Sequence, residues 1–315
     1  MRAACIATLA TMGLATDIDT LYAKYVAQYR KNYLTTEEYE MRMSLFAEKH
    51  FIISEHNMGD GHVLAHNTFS DWTEAELKTL TGYLPSEETV EPETEEVAAE
   101  FVGVGHLDWR NQLRSMRVIK NQGQCGSCWA FSTIGSIESR SEHAGHGYIS
   151  LSEQQLVDCV PGSNCGGGVY QNAMRYAQQH GNCAENDYGY TARNGWCADR
   201  NHRIVSRHVR GQRAVGRSPS ALRNAITHGP VSVAIQADQP VFQHYRSGVI
   251  SVNSCGTSLD HAVLAIGFGN ENGRDYILIR NSWGPNWGDH GTVKLGTNNN
   301  QCACGCERDP LAVLV

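Results

Sequence analysis

The segment Gln122-Gly123-Gln124-Cys125-Gly126-Ser127-Cys128-Trp129-Ala130-Phe131 places a cysteine where a glycine-rich turn becomes an apolar helix. At a helix N-terminus the positive end of the dipole favours the thiolate, the reactive form of cysteine. A thiolate nucleophile needs a proton partner and a third group to orient that partner. His261 lies 133 residues on, in Leu259-Asp260-His261-Ala262-Val263, and Asn281 lies 153 residues on, in Arg280-Asn281-Ser282-Trp283-Gly284. Singly, each has an ordinary use. One cysteine among eleven is most simply half of a disulfide, one histidine among fourteen a surface residue, and an isolated Asn-Ser-Trp carries little. Together, in this order and these contexts, they predict nucleophilic attack on a carbonyl by a Cys–His pair, with Asn281 orienting the imidazole.

The elements that must bring these groups together can be read from periodicity. Trp129 to Ile137 is an apolar helix running away from Cys128. Val231 to Ile235 alternates, and Ala262 to Ile266, Tyr276 to Ile279 and Thr292 to Leu295 read as strands. A five-residue turn, Gly269-Asn270-Glu271-Asn272-Gly273, would set His261 opposite Asn281 across a hairpin. Earlier in the chain, Tyr22, Tyr25, Val26, Tyr29 and Tyr33 form an aromatic stripe at helical spacing. Glu38, Arg42, Phe46, Lys49, Ile53 and Asn57 follow at steps of three and four, which pairs Glu38 with Arg42 and stacks Phe46 on Ile53.

Charge divides the chain. Asp17 to His106 holds 18 acidic and 6 basic residues, a net of −12, whereas Leu107 to Val315 holds 15 and 19, a net of +4. The change follows an acidic run, 86–100, whose like charges favour an extended linker. With 41% hydrophobic residues and a total charge of −7, the chain suits a folded protein and not a nucleic-acid-binding one. No apolar run is long enough to span a bilayer. Eleven cysteines fit an oxidising compartment, and Met1-Arg2 followed by the mildly apolar Ala3 to Ala15 reads as a secretory signal, 1–15.

These motifs together resemble the papain-like, cathepsin L-like cysteine proteases in precursor form. The Cys128 segment, the spacing to His261 and Asn281, Leu151-Ser152-Glu153-Gln154-Gln155-Leu156-Val157-Asp158-Cys159, Cys165-Gly166-Gly167-Gly168 and Asp108-Trp109-Arg110 match the catalytic part. The Glu38-to-Asn57 series and Asn67-Thr68-Phe69-Ser70-Asp71 match the family's pro-segment motifs, with Lys49 in place of an Asn and Ala65 in place of a Gly. The segment 111–117 lacks the pattern usual after the mature start. The resemblance implies an α+β, papain-like two-lobe fold: a helical lobe, a β-barrel-like lobe and an active site in the cleft between them. A helical pro-domain, 17–106, would precede a catalytic domain, 107–315.

The resemblance also implies roles. Gln122 and the Cys128 backbone N–H would form an oxyanion hole, Trp283 would shield His261, and no metal or cofactor would be needed. Gly126, Gly168, Val169, Tyr170, Ala234, Leu259, Ala262, Trp283 and Trp287 would bind substrate. The floor of the specificity pocket would be Glu307 if Cys255 is bridged to Cys302, or Asp309 if it is bridged to Cys304; either acid favours a basic side chain. Cys125 would pair with Cys165 and Cys159 with Cys197, leaving Cys183 and Cys306 unassigned. The tail Cys302-Ala303-Cys304-Gly305-Cys306 reads as crosslinked and not as a soft-metal cluster. Partners would be peptide and protein substrates, the chain's own pro-segment and cystatin-like inhibitors, for a monomer acting without nucleic acid or membrane. The destination would be the secretory pathway, in a lysosome-like acidic compartment or outside the cell, although no Asn-X-Ser/Thr acceptor occurs. Acid would weaken the grip between oppositely charged parts and start self-processing between Glu100 and Leu107. The rival readings are a catalytically inactive papain-fold binding protein and an exopeptidase variant.

Overall fold

The computed structural model describes residues 18–59, 61–86 and 105–315. The signal-like start, most of the acidic linker and most of the expected processing segment lie outside them. The first helix, α1 (18–28), carries the aromatic stripe. It stops before Tyr33 because Arg30 adopts a left-handed conformation (φ 52°), so Tyr33 rejoins the aromatic cluster from a loop. α2 (Thr36–His56) is capped by Thr35, whose hydroxyl accepts the Glu38 N–H. Phe46 of α2 packs on Tyr22 and Tyr25 of α1, giving the pro-segment a small aromatic core of its own. Arg42 is 3.6 Å from Glu38, as its spacing suggests, but its fork closes on Glu76.

β1 (Val63–Leu64) follows, and the Asn57 side-chain amide brackets Leu64 by giving to its carbonyl and accepting from its N–H. α3 (Glu74–Lys78) opens with a capping box between Thr73 and Glu76. After the linker, β2 (Leu107–Asp108) leads to α4 (Cys128–Ser141). Every residue of α4 except Arg140 is buried, which makes it the central helix between two cores and not a surface helix. α5 (Glu153–Cys159) and α6 (Tyr170–His180) pack around it as the helical lobe, with Trp129, Ile134, Leu156 and Met174 in the core.

The other lobe is built on strands. After β3 (Asn182–Cys183) and β4 (Ile204–Ser206), which pair with each other beside α5, its elements in chain order are β5 (Gly211–Ala214), α7 (Pro219–Thr227), β6 (Val231–Ile235), α8 (Pro240–Gln243), β7 (Tyr245–Ser247) and β8 (Val249–Ile250). β9 (His261–Glu271), β10 (Arg274–Arg280), β11 (Thr292–Gly296) and β12 (Leu311–Leu314) complete it. Eight strands form one sheet in the order β5-β12-β6-β9-β10-β11-β8, with β2 added on β9. Arg213 lies on β5 at the sheet edge, where charge discourages further pairing.

The β9–β10 hairpin differs from expectation. Its strands run to Glu271 and Arg274, so the turn is only Asn272-Gly273, both with positive φ. That two-residue turn matches the twist of the flanking strands. It moves the register: Arg280 pairs with Leu264 after a bulge at Leu278/Ile279, and His261 pairs with Ile235 of β6. His261 and Asn281 still meet, but diagonally and from strand ends, not as facing residues.

The disulfides correct one pairing. Cys125–Cys165 and Cys159–Cys197 form as the resemblance implies. Cys255 pairs with Cys304 and not Cys302, and Cys302 closes on Cys306. Positive φ at Cys304 and Gly305 curls this tail so that alternate cysteines face different partners. Cys128 and Cys183 are free and buried.

Candidate active site

Cys128 begins α4 at the boundary between the lobes, with the backbone of Ala262 and Gly82 close to its sulfur. Ala262 adjoins His261, so the thiol and imidazole are held by the start of one helix and the start of one strand. His261 Nε2 is 2.8 Å from Asn281 Oδ1. The Ser282 backbone N–H also lies 2.8 Å from that Oδ1, which fixes it as an acceptor. Nε2 therefore carries the proton in the neutral ring, and Nδ1, which makes no hydrogen bond, keeps the lone pair. Trp283 covers the ring, with centroids 4.9 Å apart, and Trp287 backs Trp283 at 5.2 Å. Trp287 is buried in the β-lobe core with its indole N–H on the Gln243 carbonyl.

Gln122 is held from three directions. Its Oε1 accepts the Ser282 hydroxyl at 2.6 Å, its backbone N–H gives to the Ser282 carbonyl, and its Nε2 gives to the Cys125 carbonyl. The second Nε2 donor, 3.1 Å from the Leu80 carbonyl, is occupied by the pro-segment. Trp283 Nε1 gives to the same carbonyl.

From Leu80 the chain runs through the cleft as a backbone insert. Gly82 and Tyr83 give N–H bonds to the Asp260 carbonyl. Gly168 exchanges bonds with Gly82 and Leu84, in a bridge that is parallel. A Cβ on Gly82 would lie 2.0 Å from the Gly126 carbonyl oxygen, so only glycine passes there. Gly168 is restricted in the same way: a Cβ there would meet the Trp129 ring at 2.5 Å. Tyr83 then enters the pocket bounded by Tyr170, Ala234, Leu259 and Ala262, with Val169 at the cap of α6. At its end the Tyr83 hydroxyl gives to Asp309, which also takes bonds from Tyr170 and Gln171.

Glu307 is therefore not the pocket floor. Its carboxylate turns inward to accept the Cys302 N–H, because the Cys255–Cys304 bridge advances the tail by two residues. Sequence reasoning did not pick out Leu80, Gly82, Asp260 or Ser282. Ser282 stood in plain view beside Asn281, but the others act through backbone atoms, which leave little trace in side-chain types.

Covering the cleft changes its electrostatics. Burial pushes the Cys128 thiol up to about 12, with the nearby Asp260 carboxylate adding to the shift. Burial likewise lowers His261 to about 4, although its bond to Asn281 works in the other direction. Both groups are neutral in this state. Burial under the pro-segment thus favours the neutral form of each group.

A model of the papain family cysteine protease domain matches residues 104–314, and one of the cathepsin propeptide inhibitor domain matches residues 22–77. The chain belongs to the papain family of cysteine proteases. It is a cysteine endopeptidase in precursor form, carrying its own inhibitory pro-segment. Among similar papain-family proteins, "Probable cysteine protease RDL2" of Arabidopsis thaliana is 38% identical over 90% of this chain and 81% of its own. "Papaya proteinase 4" of Carica papaya is 36% identical over 91% and 84%. Among solved structures, the digestive procathepsin L2 of Tenebrio molitor larval midgut has a TM-score of 0.86 at 35% identity, covering 95% of this chain and 100% of that one. The recombinant stem bromelain precursor has a TM-score of 0.86 at 29% identity, covering 95% and 99%. The α+β two-lobe fold with a helical pro-region is common to these precursors.

Proposed function

We propose that Cys128 and His261 carry out peptide hydrolysis, with Asn281 and Gln122 in support. In the matured enzyme the Cys128 proton passes to His261 Nδ1, and the thiolate attacks the substrate carbonyl. The oxyanion is held by Gln122 Nε2 and the Cys128 backbone N–H. His261 then protonates the leaving amine, the thioester forms, and a water activated by His261 hydrolyses it. Asn281 fixes the ring's tautomer and plane. The observation that carries this reading is the His261–Asn281 bond, whose geometry leaves Nδ1 free to act as the base.

The pro-segment is 17–106 and the catalytic domain 107–315, separated by acid-induced cleavage between Glu100 and Leu107 in a secretory or acidic compartment. The mature enzyme acts as a monomer, and cystatin-like inhibitors are candidate partners. Incubating acid-matured protein with an epoxysuccinyl thiol inhibitor tests the core of the proposal. One equivalent is expected to attach at Cys128 and end hydrolysis, and the Cys128→Ala chain is expected neither to bind it nor to mature. Labelling elsewhere with activity lost would sink the assignment.

Asp309 gives the specificity pocket an acidic end, beneath substrate positions now filled by Tyr83. A charge-assisted bond of roughly 1.5–3 kcal/mol there favours a basic residue two positions before the scissile bond. Asp309→Asn is expected to lower kcat/KM for peptides with Arg at that position about 10- to 100-fold relative to matched Leu peptides. Equal effects on both substrates would remove Asp309 from specificity.

A further inference from the structure

Five of the fourteen histidines gather where the pro-segment docks on the catalytic domain. His50 and His56 lie on α2, His62 and His66 flank β1, and His244 immediately precedes β7. β1 pairs antiparallel with β7, matching Leu64 to Tyr245, and the Ala65 N–H gives to the His244 carbonyl. Asn67 adds a side-chain bond to the Gln243 carbonyl at 2.7 Å. The seam is tight at His62, whose Cα would lie 3.0 Å from a Cβ on Gly248.

The imidazoles in this seam have no counter-charge. His66 stacks on Phe46, and its Nε2 is 3.0 Å from His50 Nδ1 in a nearly parallel ring. That contact needs one nitrogen without a proton, so double protonation breaks it and sets two cations together. His56 bonds the His62 carbonyl, and their rings are 4.4 Å apart. His62 Nε2, His66 Nδ1 and both nitrogens of His244 are buried without hydrogen-bond partners.

The charges that act on these three rings are positive: His56 and Arg274 on His62, His50 on His66, and His66 and Lys49 on His244. Glu48 is tied to Lys49, and Asp71, which reaches Tyr25 beside His66, is occupied by Lys31, Tyr25 and Tyr33. Arg246 of β7 acts on Tyr29, whose hydroxyl bonds the His66 carbonyl. No metal-ligand grouping of histidines occurs among the described residues.

We propose that this histidine cluster is the acid sensor of the precursor: proton uptake by His62, His66 and His244 puts uncompensated positive charge in the seam and undocks β1 from β7. The inference rests on the acid maturation proposed above and names the groups that sense it. Burial lowers His62 and His66 to about 4 and His244 to about 3. A histidine lowered in the docked state favours docking above its released value near 6.5. That advantage is lost as pH falls from about 6.5 towards the docked value, roughly tenfold per unit for each ring. Two rings acting together weaken docking on the order of 10³-fold between pH 6.5 and 4.5. The Arg42–Glu76 pair cannot provide this window. Arg42 holds the Glu76 carboxyl down to about 2, and the pair is internal to the pro-segment.

Two measurements test the sensor on the full-length chain. In the Cys128→Ala precursor, which needs no catalysis, the ring resonances of His62 and His66 are expected to titrate below pH 5; titration near 6.5 overturns the proposal. In the active chain, His62→Gln with His66→Gln is expected to move the pH of half-maximal self-processing down by about one unit or more and to flatten its slope. An unchanged processing profile overturns it. Both residues leave with the pro-segment, so peptide hydrolysis by the matured double variant should match wild type at every pH. That last comparison bears on the protease reading independently of the sensor.

Discussion

At pH 7 Cys128 in the intact precursor is expected to react with iodoacetamide about 10⁴ times more slowly than in the matured enzyme. The reactive species is the thiolate. A thiol pushed up to about 12 is ionised to roughly one part in 10⁵ at neutral pH. The cause is burial, and the chain from Leu80 to Leu84 covers the cleft in this state, with Gly82 directly over Gly126. Removing this cover restores water and lets the proton move to His261, whose own lowering also comes from burial. An ion-paired thiolate is a weaker intrinsic nucleophile than a fully basic one, which takes back about a factor of ten. The pH dependence separates the states further. The precursor rate should rise tenfold per pH unit from 6 to 9, while the matured rate stays nearly flat. Peptide-level mass spectrometry is the right readout, because Cys183 is a second free thiol and is itself raised to about 11 by burial. Equal rates in the two states would mean that the pro-segment acts by obstruction alone.

This division of labour explains which features could be read from residue types. The helix after Cys128 and the strands around His261 follow from apolar periodicity, because burying one face or one segment leaves a pattern. The meeting of His261 and Asn281 was also legible, but the geometry behind it was not. Asn272-Gly273 has the residues of a two-residue hairpin turn, and only the bulge at Leu278/Ile279 shows how the register is adjusted towards the site. Alternating cysteines at 302, 304 and 306 cannot reveal their own partners, since a shift of two preserves the pattern. The left-handed turn at Cys304 decides it, and with it the choice of Asp309 over Glu307.

The contrast of net charge between the two parts was equally visible and less informative. The ion pairs seen within the pro-segment, Lys31–Asp71, Arg42–Glu76 and Lys49–Glu48, hold its own helices and loop together. Apart from the Tyr83 side chain, what meets the catalytic domain at the cleft is backbone: the carbonyls of Leu80 and Gly82 and the N–H groups of Gly82, Tyr83 and Leu84. A backbone interface carries no charge signature. It does require residues small enough to allow close approach, which is why Gly82, Gly126 and Gly168 converge there.

Gln122→Ala is expected to lower kcat by about 10²- to 10³-fold, with KM changed only a few-fold. An oxyanion donor stabilises charge that appears only after attack, so its loss falls on the chemical step and not on substrate affinity. The side chain is already oriented: Ser282 fixes Oε1, and one Nε2 proton is committed to the Cys125 carbonyl. The other proton faces the Leu80 carbonyl in the precursor and becomes available when Leu80 departs. Inhibition by the pro-segment should survive the substitution, because Trp283 Nε1 still gives to Leu80 and the Gly168 bonds are untouched. A single neutral hydrogen bond lost there weakens docking by no more than about tenfold. Steady-state kinetics on the matured variant, with inhibition by added pro-segment, would separate the two effects. A raised KM with kcat intact would instead make Gln122 a ground-state contact and leave the oxyanion to the Cys128 N–H alone.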